Sequence, residues 1–245
     1  MRGQVYTRED TGRGPLILVN ASHPLPPQPT PRLAPALPGQ DGVLLERRAA
    51  RMLTACVRAA GAQGKIVAVS GWRSREEQRQ IWDDSMRENG EAFTRSYVAL
   101  PGCSEHETGL AIDLAAASPS IDFIRPDFPR DGVCGEFRRL APFFGWIERY
   151  PAGKEAVTGI ACEPWHFRYV GTPHAQIMTE RGLCLEEYLE LLREGGLRIA
   201  YRGGAVRIFR IGCGKDGVTL PLAVRFTVSG DNDGGFLLTV REEIA

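Results

Sequence analysis

Proline is concentrated near the start of this chain, where eight of its 17 prolines lie between Pro15 and Pro38. A proline ring fixes φ and removes a backbone hydrogen-bond donor, so this segment can form neither a helix nor a central strand. It is therefore either a disordered tail or extended chain that packs on a folded domain. The apolar run from Leu16 to Val19 would be wasted in solvent, so we favour the packed extended segment.

The composition is that of an ordinary globular protein, and it argues against several partners. Of the 245 residues, 43% are hydrophobic and 24% are charged, which is enough for one well-buried domain with an appendage or for two small domains. Lys+Arg and Asp+Glu number 30 each, so no net charge attracts nucleic acid or anionic lipid. We therefore expect no nucleic-acid partner.

The start of the chain and its cysteines indicate where the protein is found. The sequence shows neither a secretory leader nor an apolar run of about 18 residues, the length that a membrane-spanning helix needs. Six cysteines are widely separated and form no CxxC pair. These features predict a cytoplasmic protein without a membrane span, whose cysteines are mostly free thiols.

Periodicity predicts a series of helices and strands up to about residue 196. Helical spacing or capping signals occur at 42–60, 75–89 and 136–144, in a helix that starts at Pro173, and at 185–193. Short apolar or alternating runs predict strands at 66–69, 109–116 and 163–170. Ser74 and Glu77 form a capping-box pair before the second helix, and Gly90 is expected to close that helix.

The sequence changes character after Gly196. Glycine-rich turns separate four alternating runs, which predict a small antiparallel β unit with strands at Leu197–Tyr201, Ala205–Ile211, Leu222–Val228 and Gly235–Val240. We therefore predict two parts, residues 1–196 with the extended segment and residues 197–245 as a β-rich extension. The extension could form an oligomer contact, a cover over the rim of a site, or a separate small binding domain.

Histidine is scarce, with His23, His106, His166 and His174 as the whole supply. Asp113 stands inside an apolar predicted strand, where a carboxylate is costly unless it is paired or bound to a cation. Two neutral imidazoles and one carboxylate, with a fourth position left to water, make the open coordination of hydrolytic zinc enzymes. The sequence therefore predicts a mononuclear zinc site of His106, Asp113 and His166, whereas His23 and His174, each beside a proline, are interpreted as structural.

Further side chains would complete a hydrolytic site. Glu163 lies three residues before His166, so it can point into the same cavity without ligating the metal and can act as general base. Arg73 follows the predicted strand 66–69, and its permanently charged guanidinium can stabilise negative charge on a carbonyl oxygen. Gln78 and Ser104 are donors suited to a substrate carboxylate or amide.

Each of these residues also has an ordinary structural interpretation. Taken alone, His106 would be a surface-loop histidine, His166 a buried histidine bonded to backbone, and Arg73 a surface arginine. Their joint occurrence favours the metal site. Glu105 and Glu107 flank His106 and are expected to be solvated, although one of them could orient an imidazole.

Two sequence motifs carry a resemblance to a known family. The pattern SxHxxGxAxD runs from Ser104 to Asp113 and is followed by ExxH, from Glu163 to His166. With these motifs the chain resembles the zinc D,D-peptidases of glycopeptide resistance, the VanY and VanXY group, over residues 16–194. The resemblance implies a small α+β domain with a central antiparallel sheet and flanking helices, a fold shared with the hedgehog signalling domain.

The same resemblance implies one zinc ion per chain and a small peptide substrate ending in D-Ala-D-Ala, as in uncrosslinked peptidoglycan precursor. It assigns a role to each site residue: zinc binding to His106, Asp113 and His166, general base to Glu163, oxyanion stabilisation to Arg73, and contact with the terminal D-alanine to Ser104 and Gln78. The implied activity is that of a D,D-carboxypeptidase that confers vancomycin-type resistance.

Ser70 bears on the choice of substrate. It stands three residues before Arg73, where relatives that cleave the free dipeptide tend to carry an acid that pairs with the dipeptide's ammonium group. A serine lacks that charge, so Ser70, placed with the substrate-binding residues, favours carboxypeptidase action on longer peptides. Dipeptidase or dual activity is the alternative, and a zinc-stabilised module that binds cell-wall peptide without cleaving it is a third.

Overall fold

The computed structural model describes residues 3–221 and 225–242. These residues form two compact units, which we describe separately. The larger unit is Asn20–Cys184, and the smaller one consists of the described residues of Met1–Val19 and Leu185–Ala245. The division differs from the predicted boundary at residue 196, because the N-terminal segment and the helix before residue 196 group with the C-terminal strands.

The strands are β1 Gly3–Tyr6, β2 Leu33–Pro35, β3 Leu44–Glu46, β4 Ile66–Ser70, β5 Ala111–Ala116, β6 Trp146–Tyr150, β7 Glu163–Tyr169, β8 Leu197–Tyr201, β9 Gly204–Gly212, β10 Val218–Pro221, β11 Phe226–Gly230 and β12 Gly235–Glu242. The helices are α1 Arg47–Ala59, α2 Arg75–Tyr97, α3 Gly132–Leu140, α4 Glu155–Thr158, α5 His174–Arg181 and α6 Leu185–Glu194. Short 3-10 turns occupy Arg8–Gly12, Glu105–Thr108 and Ala141–Phe144. No helix within the described ranges is long and apolar enough to cross a membrane.

A four-stranded antiparallel sheet organises the larger unit, in the order β4-β5-β7-β6. This mixed architecture of helices and an antiparallel sheet confirms the predicted α+β class. The register places Asp113 of β5 opposite both Ser70 of β4 and His166 of β7. Residues that are distant in sequence thereby meet at the centre of the sheet.

The two faces of this sheet have different chemistry because successive side chains of a strand alternate between faces. Ile112 and Leu114 of β5 belong to the apolar core, which also contains residues of α1 and α3. Asp113, between them, points to the other face. Each large apolar side chain that leaves water contributes about 1.5 to 3 kcal/mol, so the apolar face fixes the register that presents Asp113.

The structure corrects the predicted start of the first helix. Helix α1 begins at Arg47 rather than at Gly42, because Leu44–Glu46 pairs with Leu33–Pro35 as a two-stranded ribbon. Glu46 then caps the helix, since its carboxylate accepts hydrogen bonds from the backbone N–H groups of Arg48 and Ala49. The apolar residues before Arg47 had the spacing of a helix but serve a strand.

The second and third helices also differ from their predicted bounds. The capping box of Ser74 and Glu77 is present, but Gly90 does not end the helix. Gly90 has φ 80° and ψ 172°, a conformation open to glycine that kinks the helix before it continues to Tyr97. The third helix was predicted at 136–144 and covers Gly132–Leu140, followed by a 3-10 turn.

One central strand was missed in the sequence. Strand β6, Trp146–Tyr150, contains Glu148 and Arg149, and two adjacent charged residues obscured its pattern. Arg149 is fully buried nonetheless, with 0% of its surface exposed. Its carboxylate partner lies far away in sequence, so local periodicity could not account for it.

The smaller unit is built on a second antiparallel sheet, in the order β11-β12-β9-β8, together with the pair β1-β10. Of the predicted strand 222–228, residues 222–224 lie outside the described residues and β11 begins at Phe226. Leu16–Val19 is not a strand, but all four residues are at most 7% exposed. Packing of this apolar run, as opposed to a disordered tail, is thus confirmed.

Hydrogen bonds attach the N-terminal run to β11 and the turn after it. The backbone N–H of Leu16 donates to Ser229 Oγ at 2.9 Å, and that of Leu18 donates to the carbonyl of Asp231 at 3.1 Å. Asn232 returns a hydrogen bond from its side-chain amide to the carbonyl of Leu18 at 2.9 Å. Backbone groups of the run are therefore satisfied without a sheet ladder.

Candidate metal centre and active site

The structure brings together the three residues that were predicted to bind a metal. His106 lies in the 3-10 turn Glu105–Thr108, Asp113 lies on β5, and His166 lies on β7. One ligand atom from each falls within 4.8 Å of the others, and all three residues are buried. The pairing of β5 with β7 sets Asp113 beside His166, and the turn before β5 brings His106 to the same place.

Hydrogen bonds orient the two imidazoles. His106 Nδ1 lies 2.7 Å from the carbonyl oxygen of Gly71, which can only accept a hydrogen bond. Nδ1 therefore carries the proton, and Nε2 is unprotonated. That Nε2 lies 3.2 Å from Asp113 Oδ2. His166, unlike His106, faces the cluster with Nδ1, which lies 2.9 Å from Asp113 Oδ1.

The pKa values in the cluster reflect burial and close charges. Burial opposes ionisation of Asp113, but the neighbouring His106 and His166 hold the pKa of this carboxyl well below its usual range. Burial and the positive charge of Arg73 lower the pKa of His106 to about 4. Burial would lower the pKa of His166 as well, but its carboxylate neighbours Asp113 and Glu105 raise it to about 9.

The donor set fits a zinc ion. Two imidazole nitrogens and a carboxylate converge in a buried pocket, and the lone pair of His106 Nε2 is directed inward by the Gly71 carbonyl. Zinc accepts such nitrogen and oxygen ligands, and catalytic zinc sites have three protein ligands. His106 Nε2, His166 Nδ1 and a carboxylate oxygen of Asp113 are the atoms that could hold the ion.

Arg73 lies against this cluster. Its Nη2 is 3.1 Å from Asp113 Oδ2 and 3.2 Å from His106 Nε2. From the other side, Nε donates to Ser70 Oγ at 2.9 Å and Nη1 donates to Gln78 Oε1 at 3.1 Å. The guanidinium is thus held at the candidate ligand cluster by two neutral side chains.

Glu163 is the first residue of β7 and lies next to the cluster without belonging to it. Its Oε2 is 3.7 Å from His166 Nδ1, and 5% of the residue is exposed. Burial raises the pKa of Glu163 to about 8. Such a carboxyl group can accept and release a proton near neutral pH.

A cavity of about 50 Å³ opens on these side chains. The residues that line it include the three candidate metal ligands, apolar neighbours such as Trp165, and Glu163, Arg73, Gln78 and Ser104. Ser70 does not line this cavity, since it lies behind Arg73. Gln78 donates its amide hydrogen to the carbonyl of Ala99 at 2.8 Å, so both ends of its amide are engaged.

The expectation that Glu105 and Glu107 are solvated is wrong. Glu105 is 2% exposed and Glu107 is 8% exposed. Glu107 accepts from the backbone N–H of Gly102 at 2.6 Å and pairs with Arg75 at 3.1 Å. Glu105 lies in the 3-10 turn Glu105–Thr108, and its partners are Arg149 and Arg168, two buried arginines that sequence reasoning did not identify. A buried charge needs a partner of opposite charge. Arg149 in β6 and Arg168 in β7 were therefore the signal from which a buried glutamate could have been predicted.

The other two histidines lie outside the cluster, in agreement with the structural interpretation. His23 is half-buried and its Nδ1 lies 3.0 Å from Asn20 Oδ1. His174 is the first residue of α5 and is 4% exposed. All six cysteines are present as thiols.

Comparison with known proteins gives a consistent picture. The family model of the VanY D-alanyl-D-alanine carboxypeptidases matches residues 42–172. The chain is 42% identical over 181 residues to the bifunctional D-Ala-D-Ala dipeptidase and D-Ala-D-Ala carboxypeptidase VanXYC of Enterococcus gallinarum, covering 73% of this chain and 95% of that protein. It is 34% identical over 191 residues to a D-alanyl-D-alanine carboxypeptidase of Enterococcus faecalis, covering 71% of this chain and 65% of that protein.

Solved structures extend the similarity to the C-terminal strands. The vancomycin resistance D,D-dipeptidase VanXYg, in complex with a D-Ala-D-Ala phosphinate analogue, superposes with a TM-score of 0.94 at 42% identity, covering 98% of this chain and 99% of that one. An E175A mutant of the D,D-pentapeptidase VanY, in complex with Zn(II), gives a TM-score of 0.59 at 34% identity, covering 71% of this chain and 98% of that one. The β-rich extension therefore has a counterpart in VanXYg.

Proposed function

The chain belongs to the family of the VanY D-alanyl-D-alanine carboxypeptidases, and we propose that it uses a zinc ion to remove the terminal D-alanine from peptides ending in D-Ala-D-Ala. One observation carries the proposal. The buried cluster of His106, Asp113 and His166 shares a single cavity with Glu163 and Arg73. A site that only bound peptide would need neither the buried glutamate nor the guanidinium, which argues against a non-catalytic binding module.

His106, Asp113 and His166 would hold the zinc ion. When bound, zinc would lower the pKa of a water molecule and polarise the scissile carbonyl. Asp113 would offset the positive charge of the ion, and with 5% of its surface exposed it has little contact with solvent. The hydrogen bond from His106 Nδ1 to Gly71 keeps the imidazole neutral and oriented.

Glu163 moves the proton. As a carboxylate, its Oε2 takes a proton from the attacking water and then passes that proton to the amine of the departing D-alanine. Its position next to His166 places it within the cavity and apart from the ligand cluster. A positioned acid–base group of this kind contributes roughly a hundred- to ten-thousand-fold in rate.

Arg73 supplies the positive charge for the oxyanion. The nitrogen Nη2 faces the cluster, where negative charge develops on the carbonyl oxygen during attack. Ser70 and Gln78 fix the guanidinium by hydrogen bonds, so we assign them to the orientation of Arg73. Ser104, at the cavity wall, is positioned to donate to the terminal D-alanine of the substrate.

The length of the peptide substrate is the point on which the similar proteins differ. VanXYC is bifunctional, VanXYg is described as a D,D-dipeptidase, and the E. faecalis relative is a carboxypeptidase. Because Ser70 carries no charge and bonds to Arg73, it offers no countercharge to a dipeptide ammonium group. We expect a pentapeptide ending in D-Ala-D-Ala to give the higher kcat/KM, and a preference for free D-Ala-D-Ala would contradict the role of Ser70.

Glu163→Gln tests the mechanism. The amide keeps the shape of the side chain but cannot take a proton, so turnover should fall by at least a hundred-fold while zinc stays bound. Glu155→Gln is the matched control, because Glu155 is an exposed glutamate of the same larger unit. Full turnover by the Glu163→Gln protein with its zinc present would exclude Glu163 as the base.

The biological role follows from the reaction. Removal of the terminal D-alanine destroys the D-Ala-D-Ala terminus, so we propose that the enzyme acts on precursor in the cytoplasm and confers vancomycin resistance. Expression in a susceptible host should raise the vancomycin concentration needed to stop growth, and expression of the Glu163→Gln form should not. An equal effect of both forms would dismiss the proposal.

We propose that the β-rich smaller unit forms a contact between copies of the chain. The proposal rests on the edge strands β8 and β11, which end its four-stranded sheet. Size-exclusion chromatography of the full-length protein with light scattering gives its molecular mass directly. A mass equal to the 26.9 kDa chain at all concentrations would rule out self-association.

A further inference from the structure

A buried carboxylate lies directly behind one of the proposed zinc ligands. The side chain of Glu105 is 0% exposed, as are those of Arg149 and Arg168. Glu105 Oε1 accepts a hydrogen bond from Arg149 Nε at 2.8 Å and forms an ion pair with Arg168 Nη1 at 2.7 Å. Both guanidiniums therefore engage the same carboxylate oxygen and hold it in place.

The second oxygen of this carboxylate faces His166. Glu105 Oε2 lies 3.6 Å from His166 Nε2, which is slightly beyond hydrogen-bond distance. Within the described part of the chain, neither of these buried atoms has a hydrogen-bond partner. An acceptor and a potential donor, both without another partner, thus face each other inside the protein.

The chemistry of a metal-bound imidazole completes this pair. His166 turns Nδ1 toward Asp113 and the ligand cluster, so a neutral ring that coordinates through Nδ1 carries its proton on Nε2. That proton needs an acceptor, and Glu105 Oε2 is the carboxylate oxygen in front of it. Carboxylates that accept from the far nitrogen of a ligand histidine fix its ring and strengthen its binding.

We propose that Glu105 is a positioning residue for His166, a role that rests on the proposed zinc site. It accepts the Nε2–H of the neutral imidazole, and Arg149 and Arg168 keep its other oxygen occupied. Tyr150 restrains the ring as well, with its centroid 4.9 Å from that of His166 and 4.8 Å from the guanidinium carbon of Arg149.

Glu105→Gln is the sharpest variant because the site dictates which way the amide turns. Arg149 donates to the Oε1 position and Arg168 forms an ion pair with it, so the two positive charges favour the amide oxygen in that place. The NH₂ group then faces the Nε2–H of His166, and two donors oppose each other. We expect the dissociation constant for zinc to rise 10- to 100-fold.

The measurement is zinc affinity of the full-length chain, by competition with a chromophoric chelator. Glu148→Gln is the matched control, because Glu148 is likewise a carboxylate held by two arginines, with Oε2 2.5 Å from Arg138 and Oε1 2.7 Å from Arg130. The control should keep the zinc affinity of the unmodified chain. The cobalt-substituted protein should show a changed visible spectrum with Glu105→Gln and an unchanged one with Glu148→Gln.

A second variant covers the case in which Glu105→Gln does not fold. Glu105→Leu combined with Arg149→Met and Arg168→Met replaces the whole buried ion-pair cluster by apolar groups, an exchange that proteins often tolerate. This triple variant also leaves His166 Nε2 without its acceptor, so zinc affinity should again fall at least 10-fold. Unchanged zinc affinity and an unchanged cobalt spectrum in a folded Glu105 variant would overturn the proposal. The outcome is independent of turnover, so a failure of the proposed hydrolysis would be recognised separately.

Discussion

Arg73 donates from Nη2 to Oδ2 of Asp113 across 3.1 Å, which sets a permanent cation against a proposed metal ligand. The contact is buried, with 14% of the Arg73 side chain and 8% of the Asp113 side chain exposed. Ser70 and Gln78 hold the same guanidinium from behind. The electrostatics of the site therefore depend on how accurately Arg73 is placed.

Replacement of Arg73 by lysine should reduce kcat by about a hundred- to a thousand-fold, the usual cost of losing an oxyanion donor. An ammonium group keeps the charge but cannot bond to Ser70 and Gln78 while also facing Asp113. Steady-state kinetics with zinc content measured in parallel checks this expectation. Arg79→Lys, at an exposed site on α2, is the control and should leave kcat unchanged. A near-normal kcat for Arg73→Lys would show that the forked geometry of the guanidinium is dispensable.

Ser70→Ala should lower kcat/KM by roughly 2- to 10-fold, because it removes one hydrogen bond of about 0.5 to 1.5 kcal/mol that orients Arg73. The fold should be retained, since a smaller side chain replaces the serine. Ser118→Ala, at an exposed position, serves as control. If Ser70→Ala changes only the melting temperature, the serine is structural and does not tune the guanidinium.

Zinc should stabilise the protein through Asp113. A ligand at a thousand times its dissociation constant adds about 4 kcal/mol to the free energy of unfolding, and Asp113→Asn removes a charged ligand from the cluster. Thermal unfolding with excess zinc and with chelator measures the difference. The shift should be large in the unmodified chain and nearly absent in Asp113→Asn, and equal shifts in both would place the zinc elsewhere.

His174 should make stability fall as the solution is acidified. Burial lowers its pKa in the folded state to about 4, below the ordinary 6.5, so between these values the unfolded chain binds the extra proton. The stability is fully present above pH 6.5 and is lost as pH falls toward 4. Urea unfolding of zinc-free protein at pH 7 and pH 4.5 should show roughly 2 to 3 kcal/mol more loss in the unmodified chain than in His174→Gln. Equal losses would mean that His174 is already protonated when folded.

Ser229→Ala should destabilise the protein by about 1 to 3 kcal/mol and leave kcat unchanged. The buried Ser229 hydroxyl accepts from the backbone N–H of Leu16 and donates to the carbonyl of Gly230, each at 2.9 Å. When the hydroxyl is removed, the buried N–H of Leu16 loses this hydrogen-bond acceptor. Chemical denaturation measures the change, with Thr227→Ser, at an exposed position on the same strand, as the control. If Ser229→Ala destabilises the protein no more than the control does, the N-terminal run is held by apolar contacts alone.

The proposed metal ligands could be predicted from the sequence because their chemistry is unusual where they stand. Asp113 interrupts an apolar strand, and only two of four histidines lie in motifs with reactive neighbours. Such inferences need only neighbours along the chain, and the structure brings the same residues into one cluster.

Element bounds were less accurate where long-range pairing overrides local preference. Leu44–Glu46 has helical spacing but pairs with Leu33–Pro35, and α2 continues beyond Gly90. Strand β6 was missed because the adjacent charges of Glu148 and Arg149 obscured its pattern. For Leu44–Glu46 and for Arg149, the deciding partner lies elsewhere in the chain.

From the sequence alone came the reactive side chains, the zinc chemistry and the α+β class, since residue types, short spacings and periodicity determine these. The tertiary structure alone decided which buried charges support the ligands. Glu105 meets Arg149, 44 residues away, only because the folded chain brings the 3-10 turn Glu105–Thr108 next to strand β6. A solvated glutamate and a buried one have the same local sequence, and burial, which makes the pairing necessary, is a property of the folded chain.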